Sequence, residues 1–188
     1  TQTVYIYDEN GLCFDEQSFV VTINPSPEVA SFVGGGTYCE GDAVTDITLV
    51  LSGSPDFTLD FTLNGNPQSI NSTTTNVNLG NVEGVYTLTS LTDAGCTATV
   101  SGTQTIVVNP VPAAPTAGDD ATYCYYDEFN PMYAQTSEGG QLTWYSNAGL
   151  TIQAGVGTSL TPSSEVGTHV YYVTETAAGC QSEPSVVT

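Results

Sequence analysis

The 188-residue sequence has no lysine and no arginine, and only one histidine, one methionine and one tryptophan. Against these stand 20 aspartates and glutamates, for a formal net charge of −20 at pH 7. A chain without cationic side chains repels phosphate backbones, which excludes nucleic-acid binding. Anionic membrane surfaces are disfavoured for the same reason. The acids have no side-chain salt-bridge partners, so bulk or bound cations must screen them. Lysine chemistry is excluded as well: no Lys–Asn isopeptide crosslink, no Schiff base, no phosphate-binding P-loop, and no tryptic cleavage site. There is no run of 18 apolar residues, so no transmembrane helix is expected, and no signal-peptide pattern. The sequence opens mid-pattern at Thr1-Gln2-Thr3-Val4-Tyr5-Ile6-Tyr7 and closes mid-strand at Ser185-Val186-Val187-Thr188. It reads as a segment of something longer.

Runs of Leu, Ala, Glu and Lys are also missing, whereas Thr, Val, Tyr, Gly and Asn abound. That is strand and turn chemistry, and 39% hydrophobic content is enough for packed cores. Asn24-Pro25-Ser26-Pro27 recurs 85 residues later as Asn109-Pro110-Val111-Pro112. Each copy follows a β-rich run, Phe19–Ile23 or Thr105–Val108. Proline has no N–H and fixes φ, so a proline pair cannot continue a ladder. The motif marks where one domain's last strand stops. The expected domains are a C-terminal hairpin at 1–25, a full repeat at 26–110 and a second at 111–188. Within 1–25 the pattern predicts strands at Thr3–Tyr7 and Phe14–Ile23 around a turn at Asp8-Glu9-Asn10-Gly11. In the first repeat it predicts strands at Glu28–Val33, Val44–Ser52, Asp56–Leu63, Thr74–Leu79, Val85–Leu91 and Thr97–Val108. In the second it predicts Ala114–Ala117, Tyr133–Thr136, Gln141–Tyr145, Ile152–Ala154, Ser159–Leu160, His169–Glu175 and Gln181–Thr188. About seven short strands per repeat point to all-β, antiparallel sandwiches in tandem.

The five cysteines follow the same clock. Cys39 and Cys96 are 57 apart, Cys124 and Cys180 are 56 apart. Of the three possible pairings, the matched spacing selects Cys39–Cys96 and Cys124–Cys180, one disulfide per domain, formed in an oxidising compartment. Closing such a loop contributes about 4 kcal/mol in the chain-entropy model. A zinc site fails on spacing, since no CxxC or Cys/His cluster exists. Cys13 is left over, and its expected partner lies upstream of Thr1.

Tyr38-Cys39-Glu40-Gly41-Asp42, then Gly84–Thr89 with Asp93-Ala94-Gly95-Cys96, then a strand into Asn-Pro-x-Pro, resembles immunoglobulin-like repeats of large Bacteroidota surface proteins. Leu142–Ser146, Gly157–Pro162, Gly167–Thr176 and Gly179-Cys180-Gln181-Ser182 resemble the Ig-like modules of type IX-secreted proteins, gliding-motility adhesins among them. The resemblance covers nearly the whole chain. It implies an extracellular, cell-surface location and carries no catalytic residues. At Tyr123-Cys124-Tyr125-Tyr126-Asp127-Glu128 the chain departs from the pattern, with tyrosines in place of the Gly-Asp that usually follows Cys-Glu.

Candidate sites are few. Asp119, Asp120, Asp127 and Glu128 fall just after the second proline motif, and hard cations take several oxygen ligands from such loops. A Ca²⁺ ion at the domain junction is one reading; a solvated acidic surface is the other. Asp8-Glu9-Asn10-Gly11 and Glu40-Gly41-Asp42 are weaker candidates, and none fits an EF-hand. Tyr125 and Tyr126, in a loop, are the candidates for stacking on sugars or on a partner, whereas Trp144 on a central strand belongs to the core. His169 lacks a Ser/Asp frame or a second histidine. Asn71-Ser72-Thr73 is an N-x-[ST] sequon in a polar loop at 69–76. No catalytic residues are assigned and no cofactor beyond Ca²⁺ is expected. The expected function is a non-catalytic structural or adhesive segment of a long bacterial adhesin or filament. The alternative is a carbohydrate-binding or accessory module of a secreted enzyme. Expected partners are neighbouring repeats of the same or an identical chain, or a surface polysaccharide. The opening hairpin raises a subsidiary choice between strand exchange among subunits and one continuous chain.

Overall fold

The computed structural model describes residues 1–10, 13–124 and 127–188; Gly11, Leu12, Tyr125 and Tyr126, and the side chains of Glu9, Asn10, Cys13 and Phe14, lie outside the described residues. All regular structure among the described residues is β. The chain divides into two compact units, Thr1–Gly36 with Thr45–Ile106, and Thr37–Val44 with Val107–Thr188.

The first unit opens with β1 (Gln2–Asn10) and β2 (Cys13–Val21), an antiparallel two-stranded sheet of its own. Of the predicted turn at Asp8-Glu9-Asn10-Gly11, Gly11 lies outside the described residues; Asp8, Glu9 and Asn10 are strand, since the ladder runs on from Asp8↔Asp15 to Asn10↔Cys13. Next along the chain come β3 (Glu28–Val33), β4 (Gly36–Cys39), β5 (Ile47–Ser52), β6 (Phe57–Leu63), β7 (Asn66–Ser72), β8 (Asn76–Gly80), β9 (Gly84–Thr92), β10 (Thr97–Thr99) and β11 (Thr103–Asn109), of which residues 37–39 and 107–109 count with the second unit. One sheet has the order β3-β5-β8; the other runs β4-β11-β9-β6-β7, with β10 also on β9. The inward faces follow the period of two. Ile47, Leu49 and Leu51 of β5 and Phe57, Leu59 and Phe61 of β6 are buried, with Tyr86, Leu88, Leu91 and Ile106 from β9 and β11. Thr58, Asp60 and Thr62 alternate with the buried β6 residues on a half-exposed face.

Two departures from the sequence reading fall among these strands. Residues 66–72, read as turn and polar loop, form β7, in which Pro67 stands opposite Thr62. β7 is the last strand of its sheet, where a missing N–H is tolerated. The single strand expected over 97–108 is split into β10 and β11. The sequence reading also lacked β4. Gly34 and Gly35, at φ 109° and 80°, let the chain leave the β3 sheet and enter the β11 sheet. A Cβ on Gly34 would stand 2.3 Å from the Asp46 carbonyl oxygen, and one on Gly35 2.5 Å from that of Thr105. This crossing delivers Cys39 to the end of β4.

In the second unit, β12 (Thr116–Ala117), β13 (Met132–Gln135) and β16 (Ser159–Leu160) form one sheet; β15 (Gln153–Val156), β14 (Gln141–Tyr145), β17 (Tyr171–Ala177) and β18 (Cys180–Gln181) form the other, with β19 (Ser185–Val187) paired to β17. The core contains Trp144, Leu142, Met132, Ala134, Tyr171, Val173 and Val187. Trp144 is fully buried, and its Nε1–H donates to the Gly157 carbonyl at 2.9 Å. The strand expected to begin at His169 begins at Tyr171.

Both units tie a tyrosine at the start of a central strand to backbone upstream. Tyr86 Oη donates to the Val82 carbonyl at 2.9 Å, and Tyr171 Oη accepts the Ser163 N–H at 2.8 Å. A buried tyrosine placed this way at a strand corner is a hallmark of Ig-type sandwiches. Trp144→Ala is expected to destabilise the second unit by about 3–5 kcal/mol, read as a lowered urea midpoint by far-UV circular dichroism.

Candidate functional site

The cysteines pair differently from the spacing argument. Cys39 is bonded to Cys180, with Cα atoms 5.6 Å apart and 141 positions between them, and Cys96 and Cys124 are free. The expected Cys39–Cys96 and Cys124–Cys180 bonds are therefore absent. Cys39 belongs to the second compact unit and Cys96 to the first. Cys124 and Cys180 lie at opposite ends of β17. Cys180 follows the end of that strand, while Ala121 bonds to Thr188 beside Val187, the partner of Tyr171 at its start. Seven strand residues span roughly 23 Å. The Cys13 side chain lies outside the described residues.

The bond sits against the second proline motif. The Glu40 N–H donates to the Asn109 carbonyl at 2.8 Å, and the Cys180 Sγ lies 3.8 Å from the same oxygen. The Asn109 side-chain amide donates to the Ala178 carbonyl at 2.9 Å. Asp42 fixes Cys39 by accepting its N–H at 2.9 Å. In a loop-entropy model, closing 141 residues contributes about 5 kcal/mol.

Glu175 supports the hairpin that carries Cys180, and sequence reasoning missed it. Its carboxylate is fully buried and accepts four bonds, from the N–H and Oγ of Ser137 and the N–H groups of Glu138 and Gly140, at 2.6–3.0 Å. Its own N–H donates to the Ser182 hydroxyl oxygen at 2.9 Å. Burial alone would raise its pKa; the four donors outweigh burial and hold it at about 2, against an ordinary 4.5. The available signal was the Ser137-Glu138-Gly139-Gly140 turn, whose N–H groups need an acceptor. Asp93 does the same work in the first unit. It accepts N–H bonds from Ser54, Gly95 and Cys96, which hold its pKa below the ordinary value.

The predicted acidic cluster is spread out. Asp120 accepts the Thr188 N–H at 2.7 Å, and Asp127 accepts the Cys124 N–H at 2.8 Å. Among the described residues, no three Asp, Glu, His or Cys side chains gather as a metal site. Asp8 lies within β1, and Asp42 is the cap on Cys39. Asn71 is on the β7 edge strand rather than in a loop, and its Oδ1 accepts the Thr58 hydroxyl at 2.8 Å. Tyr125 and Tyr126 lie outside the described residues. A cleft of about 560 Å³ opens in the second unit, lined by Tyr123, Phe129, Met132, His169, Tyr171 and Thr188. Tyr123 and Phe129 pair with ring centroids 5.1 Å apart, and His169 Nε2 lies 2.9 Å from the Glu165 carbonyl.

No family model matches this sequence, and no curated protein matches it. Among solved structures the chain is similar to domains A168–A170 from titin, at 14% identity and TM-score 0.56, covering 99% of this chain and 73% of that one. It is also similar to the I-band fragment I67–I69 from titin, at 14% identity and TM-score 0.53, covering 97% and 71%. A variant of that fragment described as a 3Ig structure aligns at 15% identity and TM-score 0.53, covering 97% and 71%. With the sheet orders and tyrosine corners above, these likenesses define the fold: all-β, immunoglobulin-like sandwiches in tandem.

Glu175 gives a pH test. A carboxylate with a depressed folded pKa stabilises fully above the unfolded value, and the contribution is lost as pH falls through the folded value. The second unit is expected to lose stability between about pH 4.5 and 2. In Glu175→Gln that loss shrinks, and stability at pH 7 is lower because a neutral amide cannot accept all four bonds. Urea midpoints at pH 7, 4, 3 and 2 read the difference; parallel curves for the two proteins would refute it.

Proposed function

We propose that this chain is a non-catalytic structural and adhesive segment of a long extracellular repeat protein, a surface adhesin or filament of the type IX-secreted kind its motifs resemble. The observation that carries the reading is the Cys39–Cys180 bond. It joins a residue of the first sequence repeat to the last hairpin of the second, inside one compact unit. A chain locked in this way resists extension, which suits a load-bearing array. A structural disulfide fits an oxidising, extracellular compartment. The proline motifs restrict bending at the repeat boundaries. The net charge of −20 keeps neighbouring copies apart.

Extension of single molecules held at their termini tests this role. The oxidised chain is expected to release only residues outside the bond. Reduction then adds about 480 Å, the extended length of 141 residues. Full-length release from the oxidised chain would sink the load-bearing reading.

A second reading rests on the cleft beside Tyr123 and Phe129, whose volume and aromatic lining suit a sugar. It predicts glycan-array binding that is lost in Tyr123→Ala. An empty array for the native chain would dispose of it.

A further inference from the structure

Cys96 and Cys124, the free cysteines among the described residues, are not isolated thiols. Each occupies the place of one half of the bond that is formed. Cys96 corresponds to Cys180. Its Sγ lies 3.8 Å from the carbonyl of Asn24, as that of Cys180 lies 3.8 Å from the carbonyl of Asn109. Asn24 and Asn109 open the two proline motifs. A Cβ built on Gly95, the residue before Cys96, would meet the Asn24 amide at 2.7 Å, while the Asn109 amide bonds to Ala178, two residues before Cys180. Cys124 corresponds to Cys39. The Asp127 N–H donates to the Cys124 carbonyl at 2.9 Å, and the Asp42 N–H to the Cys39 carbonyl at 3.0 Å. In both turns the aspartate three residues on accepts the cysteine N–H.

The surroundings of Cys96 match this correspondence. β2 leads to Asn24 as β11 leads to Asn109, and β1 pairs with β2 as β9 pairs with β11. Beside β11 lies β4, which ends in Cys39. Beside β2, among the described residues, that strand position is open, and Phe19, Val20, Val21 and Ile23 are exposed along it. The Asn24 carbonyl receives the Cys96 sulfur and, among the described residues, no backbone N–H. Its counterpart Asn109 receives the N–H of Glu40, the residue after the bonded cysteine.

We propose that Cys96 is one half of a second disulfide of the Cys39–Cys180 kind, and that its partner is a cysteine in a C-x-x-D turn at the end of a β-strand carried by another repeat. The strand pairs with the open edge of β2, the residue after its cysteine donates to the Asn24 carbonyl, and its sulfur bonds to Cys96. Cys124 offers the matching half to a hairpin cysteine of a further repeat. The bonds then form a ladder, each joining one repeat to the next. This inference deepens the repeat-array reading and rests on it.

Bond formation needs an oxidant, here a small-molecule disulfide of the glutathione class. One cysteine thiolate attacks its S–S bond and releases one reduced thiol. The second thiolate displaces the other half. Two cysteine protons are given up, one S–S bond forms as one breaks, and the oxidant leaves as two thiols.

The test uses the full chain with Cys39–Cys180 intact and a synthetic peptide of residues 36–44, Gly-Thr-Tyr-Cys-Glu-Gly-Asp-Ala-Val. Both are equilibrated in a glutathione buffer, and the adducts are mapped by mass spectrometry after Glu-C digestion in phosphate, which also cuts after aspartate and so separates Cys96 from Cys124 at Asp119 and Asp120. The peptide is expected on Cys96 at least ten-fold over Cys124 and Cys13, relative to glutathione at the same positions. Its Asp→Asn form, at the position of Asp42, is expected to lose that preference. Peptide spread over the three cysteines in the proportions of glutathione, or none at Cys96, overturns the inference. If Cys39–Cys180 still shields its loop in the extension measurement, the array reading survives that failure; loss of both removes both.

Discussion

In a chain with 20 carboxylates and no lysine or arginine, N–H and O–H donors are what the fold itself has for holding an acid in place. That constraint shapes the structure at its most consequential points. Asp42, Asp93 and Asp127 each accept the N–H of a cysteine, Cys39, Cys96 and Cys124 in turn. Glu175 accepts four donors beneath the hairpin that ends in Cys180. Asp60 takes the Ser90 hydroxyl across β6 and β9, and Asp46 takes the Asn78 amide. A backbone N–H is fixed in direction by the fold, so a carboxylate held by several of them fixes the loop in return. The acids that matter here are parts of turns rather than a charged veneer.

The cysteines inherit their positions from these turns. The Asn-Pro motif adds the other element, a carbonyl that stops its strand and accepts from the next. At Asn109 that carbonyl meets both the N–H after Cys39 and the sulfur of Cys180. Strand end, turn cap and covalent bond therefore converge within a few residues.

The sandwich was largely legible in the sequence. Alternation in Phe57–Leu63 gives a strand with one buried face, and the structure buries Phe57, Leu59 and Phe61. Trp144, assigned to the core from its strand, is fully buried. β4 was not legible, because four residues ending in a cysteine carry no periodicity; Gly34 and Gly35 were its only trace. Glu175 stood out only as the end of a predicted strand, since period-two counting places residues on a face but does not reveal which donors meet them there.

The pairing of cysteines shows where such reading ends. The sequence alone shows which cysteines follow a hairpin; that Cys39 and Cys124 share a C-x-x-D turn, with Asp127 in the place of Asp42, came from the structure. Spacings of 57 and 56 are equally consistent with bonds inside a repeat and bonds to the next one. Only the tertiary structure chose Cys180 for Cys39. The reason is distance. Strands are rigid rods of about 3.3 Å per residue, and within the second unit the two cysteines of one repeat stand at opposite ends of β17, while the crossing at Gly34–Gly36 brings Cys39 to within 5.6 Å of Cys180.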